Sequence, residues 1–218
     1  GGGGGGRGCA FFGGGVWGGG DWGGEVRSGA MELRDRVAVI TGGGGGIGSA
    51  TARKWIAEGA RTVVVADYDE GATTAAAADI GCIGVGLDVT DESAVRALVD
   101  QVENDHGPID VFFSNAGAGA EGGVEAPNEA WQSQWELHVM SHVYAARAVI
   151  PSMTARGEGY LVHTASAAGL LAAVGSAPYS VTKAACIKLA ETLAITHGDD
   201  GIRAVSYTHL TLPTTYGV

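Results

Sequence analysis

From Arg36 onward, short apolar segments alternate with segments of helical character, and this order constrains the fold more than any single motif does. The apolar segments are rich in valine and isoleucine and are continuous, which is typical of strands buried on both faces of a sheet. They cover residues 36–41, 61–67, 82–88, 109–115 and 159–166, and a sixth opens at 201–205. Regular alternation of this kind predicts an α/β fold with a parallel sheet between two layers of helices.

For one of the predicted helices, the sequence indicates both where the helix begins and where it ends. Its apolar face consists of Val95, Leu98, Val99 and Val102. Thr90 is predicted to open the helix, with Asp91 and Glu92 in the first turn, where side-chain acceptors and negative charge are favourable. The pair Gly107-Pro108 is predicted to end it.

The first part of the chain differs in composition from the rest. Residues 1–30 are about half glycine, with scattered aromatic side chains and no regular period. Such a segment buries too little apolar surface to offset its ordering entropy, so it is predicted to be disordered. A glycine-rich tail that binds RNA by aromatic stacking is the alternative, but two arginines beside two acidic residues make no phosphate-binding patch. The segment is therefore interpreted as a non-native leader before Met31.

The last part of the chain also breaks the pattern. Residues 205–215, "VSYTHLTLPTT", resemble one translated reading frame of a transposon-derived sequencing adapter. We therefore expect residues 205–218 to be an artefactual tail, with a genuine divergent tail as the alternative. The folded domain is then predicted to span residues 31–204, about one domain by length.

Charge and cysteine content narrow the class of function. The formal net charge is −11, which argues against nucleic acid or an anionic membrane surface as a partner. The three cysteines are odd in number and widely spaced, which is typical of reduced thiols in a cytoplasmic protein. The longest apolar stretch, residues 161–175, is interrupted by His163 and Ser166 and is not a membrane span.

A glycine-rich turn, Thr41–Gly48, follows the first predicted strand and opens the first long helix. Gly42 and Gly46 are expected to let the chain turn tightly and let a pyrophosphate approach the backbone. Gly48 is expected to let the helix pack against the sheet, and the N–H groups at the helix N-terminus can bind phosphate. The context of strand, turn and helix therefore predicts a dinucleotide site in a Rossmann-like, doubly wound sheet.

An acidic residue lies about twenty residues beyond these glycines, at the end of the second predicted strand. This residue is Asp67. A carboxylate at this place accepts hydrogen bonds from the ribose hydroxyls of adenosine and repels a 2′-phosphate. The glycine turn contains no Arg or Lys, so the sequence favours NAD(H) over NADP(H).

Tyr179 and Lys183 are four residues apart, and Ser166 lies thirteen residues before the tyrosine. On a helix this spacing places the phenol and the ammonium on one face. Because a nearby cation favours the phenolate, Tyr179 is a candidate acid/base for moving a proton on or off an alcohol oxygen. The pair alone is a pattern that often occurs by chance. It becomes evidence for catalysis because the sequence also predicts a binding site for a hydride-carrying cofactor.

Taken in order, these motifs resemble the short-chain dehydrogenase/reductase family from about Arg36 to Val205. The resemblance also rests on Asp88-Val89 and on "SNAG" at Ser114–Gly117, for which a simple strand-to-loop turn is the alternative. It implies that Asp88 contacts the adenine ring and that the residues after the fourth strand border the cofactor. The expected cofactor-binding residues are Thr41, Gly42, Gly46, Ile47, Gly48, Asp67, Asp88, Val89, Asn115, Ala116, Gly117, Tyr179 and Lys183.

The resemblance implies an NAD(P)-dependent oxidoreductase that interconverts a secondary alcohol and a ketone. Tyr179 is then the acid/base, Lys183 holds the nicotinamide ribose and stabilises the phenolate, and Ser166 donates a hydrogen bond to the substrate oxygen. For Ser166, a small residue that satisfies its own backbone is the alternative. For the whole chain, the alternative is a truncated NAD-binding fragment without turnover.

One position departs from the family pattern. His138 stands where the family usually has an asparagine that helps to hold a water for proton relay. An imidazole has donor and acceptor atoms and titrates near neutral pH, so His138 could serve in catalysis, although it is bulkier. His142 and His163 are expected to be structural, and no metal-ligand cluster is predicted.

The resemblance also implies features that are not recognisable after residue 205. The family continues to a Pro-Gly turn, a segment that covers the substrate and one further strand. The last strand is therefore expected to be missing, which leaves an apolar sheet edge uncovered. Residues 168–178 suggest an apolar pocket wall for a small alcohol or ketone. The full-length parent protein is expected to form a homo-oligomer, either a dimer or a tetramer. Its subunits are expected to contact each other through the final strand and through the helices near residues 128–155 and 177–198.

Overall fold

The computed structural model describes residues 32–208; residues 1–31, which include the segment predicted to be disordered, and residues 209–218 lie outside this part. The elements in chain order are β1 (Val37–Thr41), α1 (Gly46–Ala57), β2 (Thr62–Asp67), α2 (Glu70–Ile80), β3 (Ile83–Gly86), α3 (Glu92–His106), β4 (Val111–Ser114), α4 (Asn128–Trp135), a π-helical turn (Glu136–Met140), α5 (Ser141–Arg156), β5 (Gly159–Thr164), a 3-10 turn (Ala167–Gly169), α6 (Ala177–His197) and β6 (Ile202–Tyr207). None of the helices between residues 32 and 208 is long and apolar enough to cross a membrane.

The six strands form one sheet in the order β3-β2-β1-β4-β5-β6, and all neighbouring pairs are parallel. The strand order reverses between β1 and β4, because the first three strands progress to one side and the next three to the other. A sheet of this order leaves a crevice at the carboxyl ends of the strands, at the reversal point. The predicted doubly wound α/β fold is confirmed.

Two apolar layers hold the helices on opposite faces of the sheet. On one face, Phe112 and Leu161 pack with Val149 and Met153 of α5, and the apolar side of α3 belongs to the same cluster. On the other face, the core contains Ile40, Val65 and Phe113 of the sheet together with Ala52 of α1 and Ala77 of α2. The continuous apolar strands are explained by this double burial, since successive side chains point to opposite faces.

The outer strands differ from the prediction of burial on both faces. The central strands β1 and β4 are wholly buried, but β3 is exposed over most of its length, and β6 alternates between buried and exposed residues at its start. Each is at an edge of the sheet in the described part of the chain, so each lacks one neighbouring strand. Val205 is 53% exposed on β6.

Strand β6 continues past the predicted domain boundary at residue 204. Val205, Ser206 and Tyr207 pair in register with Val162, His163 and Thr164 of β5. Backbone pairing with a formed strand does not depend on side-chain type, which explains why the strand extends into the polar sequence. The adapter origin of residues 205–218 stays a prediction.

The start of α3 also differs from the prediction by one residue. Asp91, not Thr90, caps the helix, and its carboxylate accepts hydrogen bonds from the N–H groups of Ser93 and Ala94. The hydroxyl of Thr90 instead donates to Asp88 at 2.6 Å, so it is not available for capping.

Candidate active site

A cleft of about 830 Å³ opens at the carboxyl ends of the strands, where β1 and β4 lie side by side. All of the predicted cofactor residues line it except Thr41 and Gly48. The lining residues are Gly42, Gly45, Gly46, Ile47, Asp67, Tyr68, Leu87, Asp88, Val89, Asn115, Ala116, Gly117, Ala118, Gly119, Leu137, Thr164, Tyr179 and Lys183. The fold therefore brings residues from seven separate chain segments to one cleft.

The glycine turn provides a backbone surface for an anion. Gly42 and Gly46 have φ angles of 67° and 52°, a region that side chains disfavour. A Cβ atom on Gly42 would lie 2.8 Å from Cα of Ala116. Helix α1 begins at Gly46 with no side-chain cap and no acidic residue in its first turn. Its first N–H groups are thus open to a ligand, and the turn fits a dinucleotide pyrophosphate.

Thr41 and Gly48 do not line the cleft but lie next to the glycine turn, where each is in close contact with neighbouring backbone atoms. The Thr41 hydroxyl accepts hydrogen bonds from the N–H groups of Asn115 and Ala116 at 3.0 and 3.1 Å, which joins the ends of β1 and β4. A Cβ atom on Gly48 would lie 2.1 Å from the carbonyl oxygen of Gly42. Gly48 thus lets α1 pack against the glycine turn, whereas the sequence suggested packing against the sheet.

The two acidic residues of the cleft are fixed by local hydrogen bonds. One carboxylate oxygen of Asp67 accepts from Gly44 N at 3.0 Å, and the other accepts from Tyr68 N at 2.8 Å. Asp88 accepts from both the N–H and the hydroxyl of Thr90. The Asp67 carboxylate is thereby held beside the glycine turn, with lone pairs left for ribose hydroxyls.

A chain of hydrogen bonds links the strand ends to α6. The Asn115 side-chain amide donates to the carbonyl oxygens of Thr41 and Gly42, and its oxygen accepts from the Thr164 hydroxyl at 2.9 Å. The ammonium of Lys183 donates to the Thr164 carbonyl at 2.8 Å. Sequence reasoning missed Thr164. Its place at the carboxyl end of β5 is the signal that could have found it, because ligands bind at these strand ends.

Tyr179 and Lys183 lie on the first two turns of α6, and both face the cleft. The Lys183 Nζ atom is 5.7 Å from the centre of the Tyr179 ring. Lys183 is only 2% exposed, and this burial lowers the pKa of its ammonium, while Cys186 acts in the opposite direction. A desolvated cation acts on a nearby phenol more strongly than one in water does.

Ser166 is not among the residues that line the cleft. Its hydroxyl oxygen caps the 3-10 turn that follows β5 and accepts from Ala168 N at 3.2 Å. This contact fits the alternative of a serine that satisfies its own backbone. It uses only the acceptor side of the hydroxyl, and the proton has no acceptor among residues 32–208, so the group can still donate to a substrate.

His138 lies on the π-helical turn and is fully buried. Its Nδ1 atom is 3.0 Å from the Thr182 hydroxyl, and its Nε2 atom accepts from Ala118 N at 3.3 Å. These partners fit a neutral ring with the proton on Nδ1. Burial, followed by the charge of Lys183, lowers its pKa from 6.5 to about 3. The expected titration near neutral pH is therefore wrong.

The comparisons with known proteins identify the family. Residues 36–213 match the model of the short chain dehydrogenase family. The chain belongs to this family. It is 35% identical over 177 residues to meso-2,3-butanediol dehydrogenase of Serratia marcescens, and the aligned region covers 79% of this chain and 70% of the relative. It is 36% identical over 175 residues to cis-4-hydroxycyclohexanecarboxylate dehydrogenase of Sinomonas cyclohexanicum, covering 78% and 70%.

Solved structures of the family have the same fold. L-sorbose reductase from Gluconobacter frateurii, complexed with NADPH and L-sorbose, is 35% identical with a TM-score of 0.77, over 82% of this chain and 71% of that one. NAD+-bound xylitol dehydrogenase is 32% identical with the same TM-score and the same coverage. The chain is an NAD(P)-dependent oxidoreductase of the short-chain dehydrogenase family, and the neighbours include complexes with both dinucleotides.

Two further histidines lie in the core between α5 and β5. The Nδ1 atoms of His142 and His163 are 3.1 Å apart, and both rings are 1% exposed. Their Nε2 atoms and the Ser114 hydroxyl have no hydrogen-bond partner among residues 32–208. Burial lowers the pKa of both rings, to about 4 for His163. Neither ring lines the cleft.

Proposed function

We propose that this dehydrogenase interconverts a secondary alcohol and a ketone with NAD(H), and that Tyr179 is its acid/base. The observation that carries this proposal is the position of the Tyr179–Lys183 pair in the same cleft as the glycine turn. A proton-transfer group and a dinucleotide-binding turn within one cleft are what hydride transfer to or from an alcohol carbon requires.

The side chains divide the work between them. The Tyr179 hydroxyl exchanges a proton with the substrate oxygen. Lys183, held by the Thr164 carbonyl, stabilises the phenolate and is placed to bind ribose hydroxyls. The hydroxyl proton of Ser166, which has no acceptor among residues 32–208, would be donated to the substrate oxygen, where negative charge develops. The bound dinucleotide supplies or accepts the hydride.

The preference for NAD rests on Asp67. Its carboxylate lies at the glycine turn, where it would repel the 2′-phosphate of NADP. The cleft residues include no arginine, and the one lysine among them is bound to the Thr164 carbonyl. A countercharge for a 2′-phosphate is thus missing from the described lining.

Turnover assays test this function directly. The purified chain is given NAD+ and a panel of secondary alcohols, and formation of NADH is followed by absorbance. We expect turnover that is lost in Tyr179→Phe, with NADH binding retained. NADH binding by the native chain without turnover of any alcohol would contradict the proposal.

That outcome would favour the second candidate, an NAD-binding protein without turnover. One observation supports this alternative: both ring nitrogens of His138 are bonded to protein groups. The side chain thus has no free atom for a relay water at the position where the family usually has asparagine.

We also propose that the protein is a cytoplasmic homo-oligomer. Val181 and Ile195 are 50% and 76% exposed on α6, one of the helices expected at a subunit interface. Exposed apolar side chains along one long helix are typical of an association surface. Light scattering should give a mass of two or four chains, and a monomer at micromolar concentration would contradict this.

A further inference from the structure

Two loops at the carboxyl edge of the sheet are joined by backbone hydrogen bonds. They are residues 118–127, after β4, and residues 165–177, from the end of β5 to the first residue of α6; together we call them the rim loops. Gly122 N donates to the Gly175 carbonyl, and Ala177 N donates to the Gly122 carbonyl, both at 2.8 Å. The two loops therefore form one continuous surface.

The rim loops adjoin the proposed reaction site. Ala118 and Gly119 of the first loop line the dinucleotide cleft. The second loop begins beside Ser166 and ends two residues before Tyr179. The Ser176 hydroxyl also donates to the Ala120 carbonyl, which joins the loops again close to Tyr179. The first loop thus borders the cleft, and the second connects the proposed hydrogen-bond donor Ser166 with the proposed acid/base Tyr179.

The rim loops expose large apolar side chains. Leu170, Leu171 and Val174 are 67%, 71% and 102% exposed, and Val124 of the other loop is 89% exposed. One exposed leucine is ordinary on a protein surface, but four large exposed apolar side chains on two joined loops are a concentration typical of a ligand-binding surface.

The rim loops also lack positive charge. They contain no Lys, Arg or His, and their only ionisable side chains are Glu121 and Glu125. Glu125 accepts from Gly123 N at 2.8 Å, and backbone hydrogen bonds lower the pKa of its carboxyl. A substrate carboxylate at this surface would find two negative charges and no partner, so its binding would be unfavourable.

We propose that the rim loops select uncharged, apolar secondary alcohols and ketones and discriminate against substrates that carry a carboxylate, with Leu170, Leu171 and Val174 as the specificity-determining residues. This inference rests on the proposed function. The relatives do not decide it, because their names include both an uncharged diol and a hydroxy acid. In the reaction, the alcohol carbon gives a hydride to NAD+, and its hydroxyl gives a proton to Tyr179 and then to solvent, leaving the ketone.

A matched pair of substrates tests the selection. The compounds are cis-4-methylcyclohexanol and cis-4-hydroxycyclohexanecarboxylate, which differ only in the methyl or carboxylate group at the far side of the ring. We expect kcat/KM to be at least tenfold higher for the uncharged compound, about 1.4 kcal/mol in transition-state binding. Equal turnover, or preference for the carboxylate, overturns the inference and leaves the proposed function intact.

A substitution at the rim tests whether its side chains cause the preference. In Leu171→Arg the new cation should reduce the preference for the uncharged compound by about tenfold, mainly through a lower KM for the carboxylate. Ile83→Arg is the matched control, because it places the same charge at another exposed apolar position, at the start of β3 and outside the residues that line the cleft, and its preference should equal that of the native chain. The same change in both variants overturns the assignment to the rim. No turnover of either compound by the native chain contradicts the proposed function itself.

Discussion

The imidazole of His138 lies between the proposed cofactor cleft and helix α6, which carries Tyr179, because its Nδ1 atom is 3.0 Å from the hydroxyl of Thr182. Its Nε2 atom accepts from the N–H of Ala118 on the cleft side. The His138 ring also meets the Tyr179 ring edge-on, with centroids 5.3 Å apart. A side chain bonded on both sides in this way positions its neighbours, and it does so as a neutral group.

Replacing His138 should therefore cost stability more than it changes the pH dependence of turnover. His138→Ala removes both hydrogen bonds and leaves a cavity, so we expect a loss of about 2–4 kcal/mol in the free energy of unfolding. His138→Asn restores one polar contact and should lose less. Denaturant unfolding and pH–rate profiles of kcat/KM check this. A native profile with an ionisation near neutral pH that disappears in His138→Asn would show that the ring titrates after all.

Tyr179→Phe removes the proposed acid/base and little else. We expect kcat to fall by about 10²–10⁴-fold, with NADH affinity nearly unchanged, because the ring keeps its contact with His138. Tyr160→Phe is the matched control, since that tyrosine lies on β5 outside the cleft and contacts Arg203. Single-turnover rates and NADH fluorescence titrations separate the two effects. A full rate in Tyr179→Phe would remove this residue from the mechanism.

The sequence predicted the sheet because continuous apolar segments and regular alternation depend on local patterns. It placed Tyr179 near Lys183 for the same reason, since four residues make one helical turn. It could not predict the partners of His138 and Thr164, because these contacts join segments that are far apart in the chain. Burial, which lowers the pKa of His138 to about 3, is likewise a property of the packed fold.

The errors at element ends have a similar origin. Thr90 and Asp91 are both good capping residues, and a tertiary detail, the contact of Thr90 with Asp88, decides between them. Strand β6 extends to Tyr207 because β5 offers free backbone groups for pairing, whereas its own sequence turns polar after Val205.

Substituting Asp67 should weaken the preference for NAD. In Asp67→Asn the amide oxygen can still accept from Gly44 N, but the hydrogen bond from Tyr68 N and the negative charge that opposes a 2′-phosphate are both lost. We expect the ratio of kcat/KM for NAD+ over NADP+ to fall by about tenfold or more, roughly 1.4 kcal/mol. Asp69→Asn is the control, because it neutralises a carboxylate two residues away and keeps the cap of α2, where asparagine serves equally well. An equal change of the ratio in both variants would mean that general charge, not the position of Asp67, sets the preference.

Stability should decrease as the pH falls below about 6.5, the ordinary pKa of a histidine. His138, His142 and His163 are buried and neutral, and their pKa values in the folded chain are lowered, to about 3 for His138 and about 4 for His163. Between these values and about 6.5, the unfolded chain binds more protons than the folded chain does. In this range, each unit by which the pH falls lowers the free energy of unfolding by up to about 1.4 kcal/mol for each histidine. Urea unfolding at neutral pH and at about pH 5 measures this slope.

Replacing both members of the His142–His163 pair by leucine, which removes both hydrogen-bonding partners together, should make the slope shallower. Equal slopes in the native chain and the double variant would show that the pair does not resist protonation in the folded state.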